Sequence, residues 1–311
     1  MRAISYTTYG DPTVLESVDV PRPVAGTGEA LVKVAGTTFN QVDATLRAGF
    51  LAGAFPIELP HTPGIDLSGT VIDVGPGVRD ELIGQHVIAF LPMTAPGAAA
   101  EYVTVPAELL APAPRSIPLP DAAALASSGL TALQAVEQAG VRRGQSVLVN
   151  GAGGGVGAFV VQLAARAGAT VIATAGPRSR DAVIAHGAAE VIDYTAVSVV
   201  DAVTGPVDAV VNLVRTTPDE TAALVGLVRP GGAFVSTTTP GVPAASAEIR
   251  MTSIFARSDA AQLARLAKLV DAGELHVDVS ARYDLNDLSR VHALGEAGAL
   301  RGKVILTPAG V

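Results

Sequence analysis

The segment Val147-Leu148-Val149-Asn150-Gly151-Ala152-Gly153-Gly154-Gly155-Val156-Gly157 constrains the fold of this chain more than any other stretch. A β-branched run enters a glycine turn, and a helix-forming run, Ala158 to Ala165, leaves it. Small residues let a backbone turn tightly and approach a pyrophosphate, whose charge then meets the N–H groups at the helix start. The strict pattern is G-x-G-x-x-G; here it reads Ala152-x-Gly154-x-x-Gly157, with Gly153, Gly155 and Val156 filling the turn. The alternation continues downstream. Thr170–Thr174 reads as a strand, Asp181–His186 as a helix, and Glu190–Tyr194 and Val207–Asn212 as strands; residues 219–228 read as a helix and Ala233–Ser236 as a strand. Such alternation predicts βαβ units and a parallel sheet buried on both faces, the doubly wound α/β class.

The residues after the second strand select among dinucleotides. A site for NAD carries an acid there for the ribose hydroxyls. This chain has Thr174-Ala175-Gly176-Pro177-Arg178-Ser179-Arg180, with no acid and two arginines. Guanidinium groups pair with a 2′-phosphate, so the segment predicts NADPH. The alternative is a pair of solvated charges at a helix start.

The preceding 120 residues have another character. Glu29–Val34, Gly69–Val74, Gln85–Phe90 and Ala100–Val105 alternate as strands separated by turn residues, the spacing of an antiparallel barrel or sandwich. Pro112, Pro114, Pro118 and Pro120 mark a boundary, after which Asp121 is placed to N-cap a helix running to Ala139. A helix from Asp259 to Ala272 and a strand at Val304–Leu306 close the chain. The length of 311 residues suits two domains.

Composition excludes several functions. Zero cysteines remove disulfide scaffolds, iron–sulfur clusters, thiolate zinc sites and cysteine nucleophiles. The five histidines, His61, His86, His186, His276 and His292, form no i, i+4 pair, and His61 near Asp66 reads as a loop histidine rather than a ligand. A net charge of −8 provides no basic footprint for nucleic acid. No apolar run has the length of a membrane span, and Met1 to Tyr6 lack the apolar core of a signal, so the expected location is the cytoplasm.

Six segments in order carry a family resemblance. They are Tyr9-Gly10-x-Pro12-x-Val14-Leu15 with Val20-Pro21-x-Pro23; Asn40-x-x-Asp43-x-x-x-Arg47-x-Gly49; Pro63-Gly64-x-Asp66-x-x-Gly69-x-Val71; Gly129-Leu130-Thr131-Ala132; Gly154-Gly155-Val156-Gly157 with Gln162; and Gly302-Lys303-Val304-Ile305-Leu306. The chain resembles the zinc-independent, quinone oxidoreductase-like branch of the medium-chain dehydrogenases/reductases over nearly its whole length. The resemblance implies a GroES-like β-barrel domain from residues 1–120 and 272–311, and a Rossmann domain over 121–271. It also implies a homodimer formed through the nucleotide-domain sheets.

It further implies site residues. Asn40, Asp43 and Thr131 would lie near nicotinamide and substrate. Asn40 would donate to a substrate carbonyl or a ribose; Asp43 either orients neighbours such as Arg47 or caps a loop; Thr131 either contacts the nicotinamide region or packs. Tyr194 would stand beside the adenosine 2′-phosphate at a strand end. Val214, Thr237, Thr239, Phe255 and Arg257 would line the cofactor. Lys303 would serve the cofactor or domain closure, or be a surface charge. Two departures stand out. Thr45, Leu46 and Phe50 occupy the region where relatives carry a tyrosine, and Asn212-Leu213-Val214-Arg215 replaces the D-x-V-G segment, leaving Arg215 toward solvent or an anionic substrate part.

Without a Lewis acid, an acceptor already activated by conjugation is the suitable substrate. The expected activity is NADPH-dependent hydride transfer to a quinone or an activated α,β-unsaturated carbonyl. The alternatives are an enoyl reductase of fatty-acid, polyketide or secondary metabolism, and a non-enzymatic NADPH-binding sensor. Pocket shape rests on the loops around 45–60 and 240–257.

Overall fold

The structure, a computed structural model, describes residues 1–240 and 248–308; part of the 240–257 loop lies outside them. The chain divides into two compact units: Met1–Ser127 with Ser258–Gly273 and Val279 onward, and Ser128–Arg257 with Glu274–Asp278.

The elements run in order β1 (Arg2–Ser5), β2 (Glu16–Asp19), β3 (Glu29–Thr38), α1 (Gln41–Arg47), β4 (Asp66–Val74), β5 (His86–Phe90), β6 (Tyr102–Pro106) and β7 (Ala111–Pro112). Next come α2 (Ala126–Ala139), β8 (Ser146–Asn150), α3 (Gly155–Arg166), β9 (Thr170–Thr174), α4 (Arg180–Ala185), β10 (Glu190–Ile192), α5 (Val199–Ala202), β11 (Val207–Asn212), α6 (Pro218–Gly226), β12 (Val228–Ser236) and β13 (Arg250–Ser253). Then follow α7 (Ala260–Asp271), β14 (Val279–Asp284), α8 (Leu288–Glu296) and β15 (Lys303–Thr307).

In the first unit a seven-stranded sheet runs β14-β15-β3-β4-β5-β7, with β6 also on β3. Alternation in β3 turns Ala30, Val32 and Val34 into a core with Leu67, Val71, Val87, Ala89, Val103 and Val105. The last strand, β15, pairs antiparallel with the end of β3, Ile305 opposite Thr38. β4 pairs with β3 on its other side, Ser68 opposite Gly36. This topology brings the first residue of β15, the last of β3 and the first of β4 to one place.

The second unit holds a parallel sheet in the order β10-β9-β8-β11-β12-β13. In chain order within the unit this is 3-2-1-4-5-6, the Rossmann arrangement, with the crossing point beside β8. Phe234, Leu148, Val210 and Ile192 are buried among its core residues.

Three expectations differ from the structure. Helix α7, placed by sequence inside the 121–271 domain, belongs to the first unit. Its buried face of Leu263, Leu266, Ala267 and Val270 packs toward β5 and β7, so burial overrode chain order. Asp121 caps no helix; it sits buried within a 3₁₀ turn over Leu119–Leu125 and receives the Arg282 guanidinium, Nε to Oδ1 at 2.9 Å. Tyr194 lies beyond the end of β10 in an Asx turn, where Asp193 Oδ1 accepts from Thr195 N at 3.0 Å.

Candidate functional site

The glycine turn of the second unit follows from the space around it. Gly151 takes φ +95°, a conformation that side chains avoid, so the tight-turn role falls to Gly151 rather than to Ala152. A Cβ on Gly153 would lie 2.8 Å from Ser179 Cβ, and one on Gly157 only 2.3 Å from the Gly151 carbonyl oxygen. Gly153, Gly154, Gly155 and Val156 keep some exposure, while Ala152 and Gly157 are buried in the turn that leads into α3. Gly154 stands at the N-cap of α3 with no side chain capping the helix. The twelve-residue helix therefore presents its N-terminal amides and the positive end of its dipole beside the turn. These residues fit a dinucleotide pyrophosphate.

The turn is held by a polar rung that sequence reasoning largely missed. Thr174 Oγ1 accepts from Gly151 N at 2.8 Å and donates to Asn150 Oδ1 at 2.9 Å. Asn150 Nδ2 donates to Asn212 Oδ1 at 3.0 Å, and Asn212 Nδ2 donates to the Val214 carbonyl at 3.0 Å and Ser236 Oγ at 3.3 Å. Each of four neighbouring parallel strands thus ends in a polar residue after an apolar run. That repeated ending is the signal that would have found Asn150, Asn212 and Ser236. Asn212 is fully buried. Asn212→Leu strands the Asn150 amide and the Val214 carbonyl, each costing about 1–3 kcal/mol. The variant is expected to melt earlier and bind NADPH more weakly, as read by thermal unfolding and fluorescence titration.

Beyond β9, Arg178 and Arg180 are exposed, flanking Ser179 at the N-cap of α4. Arg180 Nη1 donates to the Val191 carbonyl at 3.1 Å, which anchors that guanidinium at the end of the sheet. Tyr194 is exposed, its Oη 3.7 Å from where a Gly176 Cβ would sit, so it leans over the same loop. Val214 Cγ1 would lie 2.7 Å from a Cβ on Gly151. Thr237 N donates to the Asn212 carbonyl at 3.1 Å, and Thr239 Oγ1 accepts from Thr216 N at 3.1 Å. Arg257 is clamped through its backbone, its N–H on Gln134 Oε1 at 3.1 Å and its carbonyl receiving Gln134 Nε2 at 2.9 Å. Phe255 is exposed past β13, and Thr131 lies partly buried in α2.

The first unit gathers a second group. Asp66 is completely buried and accepts four bonds: Thr38 Oγ1 at 2.5 Å, Asn40 Nδ2 at 3.0 Å, Lys303 Nζ at 2.9 Å and Ser127 N at 2.7 Å. Burial opposes its charge, and the Lys303 ammonium with the Thr38, Asn40 and Ser127 bonds overcomes this, holding the carboxyl below its ordinary value. Lys303 Nζ also donates to Asn40 Oδ1 at 2.8 Å. Lys303 is 4% exposed. β15 carries its charge between Asn40 and Asp66 in the first unit, so Lys303 is not a surface charge.

Asn40 and Asp43 belong to the same group. Asn40 stands at the N-cap of α1, yet its side chain makes no capping bond, a contribution of about 1 kcal/mol forgone. Its Nδ2 turns instead to Asp66, to Thr38 Oγ1 at 3.2 Å and to Asp43 Oδ2 at 3.4 Å, while its Oδ1 takes Lys303 and Ser127 Oγ at 3.3 Å. Both ends of the carboxamide thus meet protein partners, while the residue stays partly exposed. Of the two readings of Asp43, the contacts match the loop cap rather than a partner of Arg47. Asp43 Oδ1 accepts from Gly64 N at 3.2 Å, and Arg47 pairs with Glu296. Burial, then the neighbouring Asp66 charge, push the Asp43 carboxyl up to about 7 against the Gly64 and Asn40 bonds. Thr38, Ser127 and the hub role of Asp66 were not read from the sequence. Thr45 Oγ1 donates to the Gln41 carbonyl at 2.7 Å, inside its own helix, so it does not replace the absent tyrosine. Among the described residues no group of three or more His, Cys, Asp or Glu side chains is placed to hold a metal ion.

The comparisons with known proteins bear on both units. Residues 26–115 match the family described as alcohol dehydrogenase GroES-like domain, and 186–306 match that described as zinc-binding dehydrogenase. A chloroplastic quinone-oxidoreductase, QR1, of Triphysaria versicolor is 30% identical over 325 residues, covering 99% of this chain and 98% of that one. A chloroplast envelope quinone oxidoreductase homolog of Arabidopsis thaliana is 37% identical over 201 residues; the match spans 62% of this chain and 61% of that relative. Among solved structures, the quinone oxidoreductase of Coxiella burnetii superposes with a TM-score of 0.90 at 32% identity, covering 99% of both chains. A mycobacterial protein solved with NADPH gives 0.85 at 30%, covering 99% of this chain and all of the other.

Proposed function

The chain belongs to the quinone oxidoreductase-like branch of the medium-chain dehydrogenases/reductases, and on that premise we propose an NADPH-dependent reductase acting on a quinone or an activated α,β-unsaturated carbonyl. The observation that carries this reading is the bare glycine turn opening onto the uncapped N-terminus of α3. Bound NADPH supplies the hydride.

The chain's residues do the rest. The turn and the α3 amides hold the pyrophosphate, and the rung from Thr174 to Ser236 keeps the turn in register. Arg178 and Arg180, with Tyr194 over Gly176, receive the 2′-phosphate. Val214, Thr237, Thr239, Phe255 and Arg257 border the cofactor, and Thr131 serves the nicotinamide region. In the first unit the Asp66 cluster fixes Asn40 and Asp43, which shape the acceptor side. A conjugated acceptor takes hydride at carbon and spreads negative charge onto oxygen, so it needs no thiolate-held metal. The chain has no cysteine to hold one. The reading extends to a homodimer and to a cytoplasmic location; β13, last in the order of the parallel sheet, supports the former.

NADPH oxidation followed over a panel of quinones and enones tests the activity. Turnover with at least one class is expected, with a lower KM for NADPH than for NADH. NADPH binding without turnover on either class overturns it, and a lower KM for NADH overturns the cofactor choice. No helix among the described residues is long and apolar enough to cross a membrane.

A further inference from the structure

The N-x-x-D segment breaks a local rule, and the cause lies in other strands. An asparagine at an N-cap ordinarily accepts from the second or third helical N–H, and an acid at the third position ordinarily returns the bond. In α1 neither happens: Asn40 makes no capping bond, and Asp43 accepts from Gly64 N of the next loop. The chain can build such a box. In α6, with the same spacing, Thr217 accepts from Glu220 N and Glu220 returns the bond. What separates the two is the ion pair between Asp66, opening β4, and Lys303, opening β15. Lys303 Nζ takes the Asn40 oxygen at 2.8 Å and Asp66 Oδ2 takes its nitrogen at 3.0 Å. The pair is nearly closed to solvent, its side chains 5% and 0% exposed. Thr38 and the Ser127 amide, both on the carboxylate, complete the seat.

We propose that Asp66 and Lys303 are positioning residues, an ion pair that pulls the Asn40 carboxamide off its helix and locks it, with Asp43, in the one orientation the reaction uses. This rests on the reductase reading above. The pair acts through Asn40, which is the partly exposed member of the group. A buried pair offers direction rather than net stability: breaking it is costly, whereas neutralising both members together often is not. Local conflict of this kind marks functional positions.

The test compares Lys303→Met, Asp66→Asn and the double variant Asp66→Asn/Lys303→Met. Lys303→Met alone is expected to lose both thermal stability and activity, because it leaves the Asp66 charge uncompensated. The double variant is expected to regain most of the melting temperature and yet keep kcat about 100-fold down, the size of effect a misplaced group produces. Its affinity for NADPH, measured by fluorescence titration, is expected to be unchanged, since the cofactor cradle lies in the other unit. A crystal structure of the double variant is expected to show the Asn40 side chain turned toward the first-turn N–H groups of α1. Wild-type kcat in the double variant, or Asn40 unmoved in its crystal, overturns the proposal. A wild-type enzyme that binds NADPH but reduces neither quinones nor enones defeats the functional reading instead, and the Asn40 position then decides the ion pair by itself.

Discussion

Gly157→Val is expected to weaken NADPH binding roughly 100-fold, equivalent to about 2.7 kcal/mol, while the first unit keeps its fold. A Cβ at this position would meet the Gly151 carbonyl oxygen at 2.3 Å and Ala152 Cα at 2.6 Å. Both are backbone atoms of the turn itself, so no side chain can swing aside. The helix must move away from β8, and its N-terminal amides move with it. Overpacking costs about 1–3 kcal/mol where side chains can adjust, and this site offers less relief. Gly226→Ala is the matched control. It ends α6 with nothing within 4 Å of its would-be Cβ, and alanine there is expected to be neutral or slightly stabilising. Fluorescence titration with NADPH and thermal unfolding check both. A dissociation constant for Gly157→Val equal to that of wild type would remove the glycine turn from the binding site.

Buried imidazoles should make the first unit sensitive to acid. His292 is 1% exposed, and its ring stands edge-on to Phe39 at 5.1 Å. Burial, reinforced by the Arg47 charge, pushes it down to about 3; burial alone pushes His61 down to about 4. Both fall below the ordinary value of 6.5, so the unfolded chain takes up these protons first. Stability is therefore complete above about 6.5 and is lost as pH falls towards the folded-state values. Each imidazole costs about 1.4 kcal/mol per pH unit across that window. Asp43 acts with the opposite sign. Its folded value of about 7 exceeds the ordinary 3.8, so it penalises the fold at neutral pH and releases the penalty as pH falls from 7 to 4. The His292 contribution is thus isolated by difference. His292→Leu, close in volume, is expected to gain about 3 kcal/mol relative to wild type between pH 7 and pH 4.5, measured by urea unfolding. A difference independent of pH would show that His292 titrates normally. Asp43→Asn should show the reverse trend.

The nucleotide unit was legible because its signals are local. An apolar run, a glycine turn and a helix lie contiguously from Val147 to Ala165, and strand–helix alternation repeats to Ser236. The β-branched strands and the turn chemistry agree with each other, so the order of elements followed directly. The short strands β1, β2, β7, β13 and β14 and the helices α1, α5 and α8 escaped notice. They carry few residues each, and their burial comes from distant partners. Helix α7 was found and placed in the wrong unit, because an apolar face records that a helix is covered and says nothing of what covers it. The candidate site divides in the same way. Gly153, Gly154, Gly155 and Gly157 were readable, whereas Asn150 and Ser236 acquire meaning only when parallel strands align their ends.

The sequence by itself determined the dinucleotide turn, the absence of thiolate ligands, and the presence of Asn40, Asp43 and Lys303 within recognisable motifs. Those are properties of composition and of near neighbours in the chain. Only the tertiary structure decided what these side chains do. N-x-x-D and T-x-x-E are equally good helix-capping patterns on paper. Thr217 caps its helix and Asn40 does not, because a lysine 263 residues away arrives on β15 beside a buried Asp66. A buried carboxyl kept charged, as Asp66 is, needs a cation wherever that cation lies along the chain, and that requirement outweighs a local hydrogen bond worth about 1 kcal/mol.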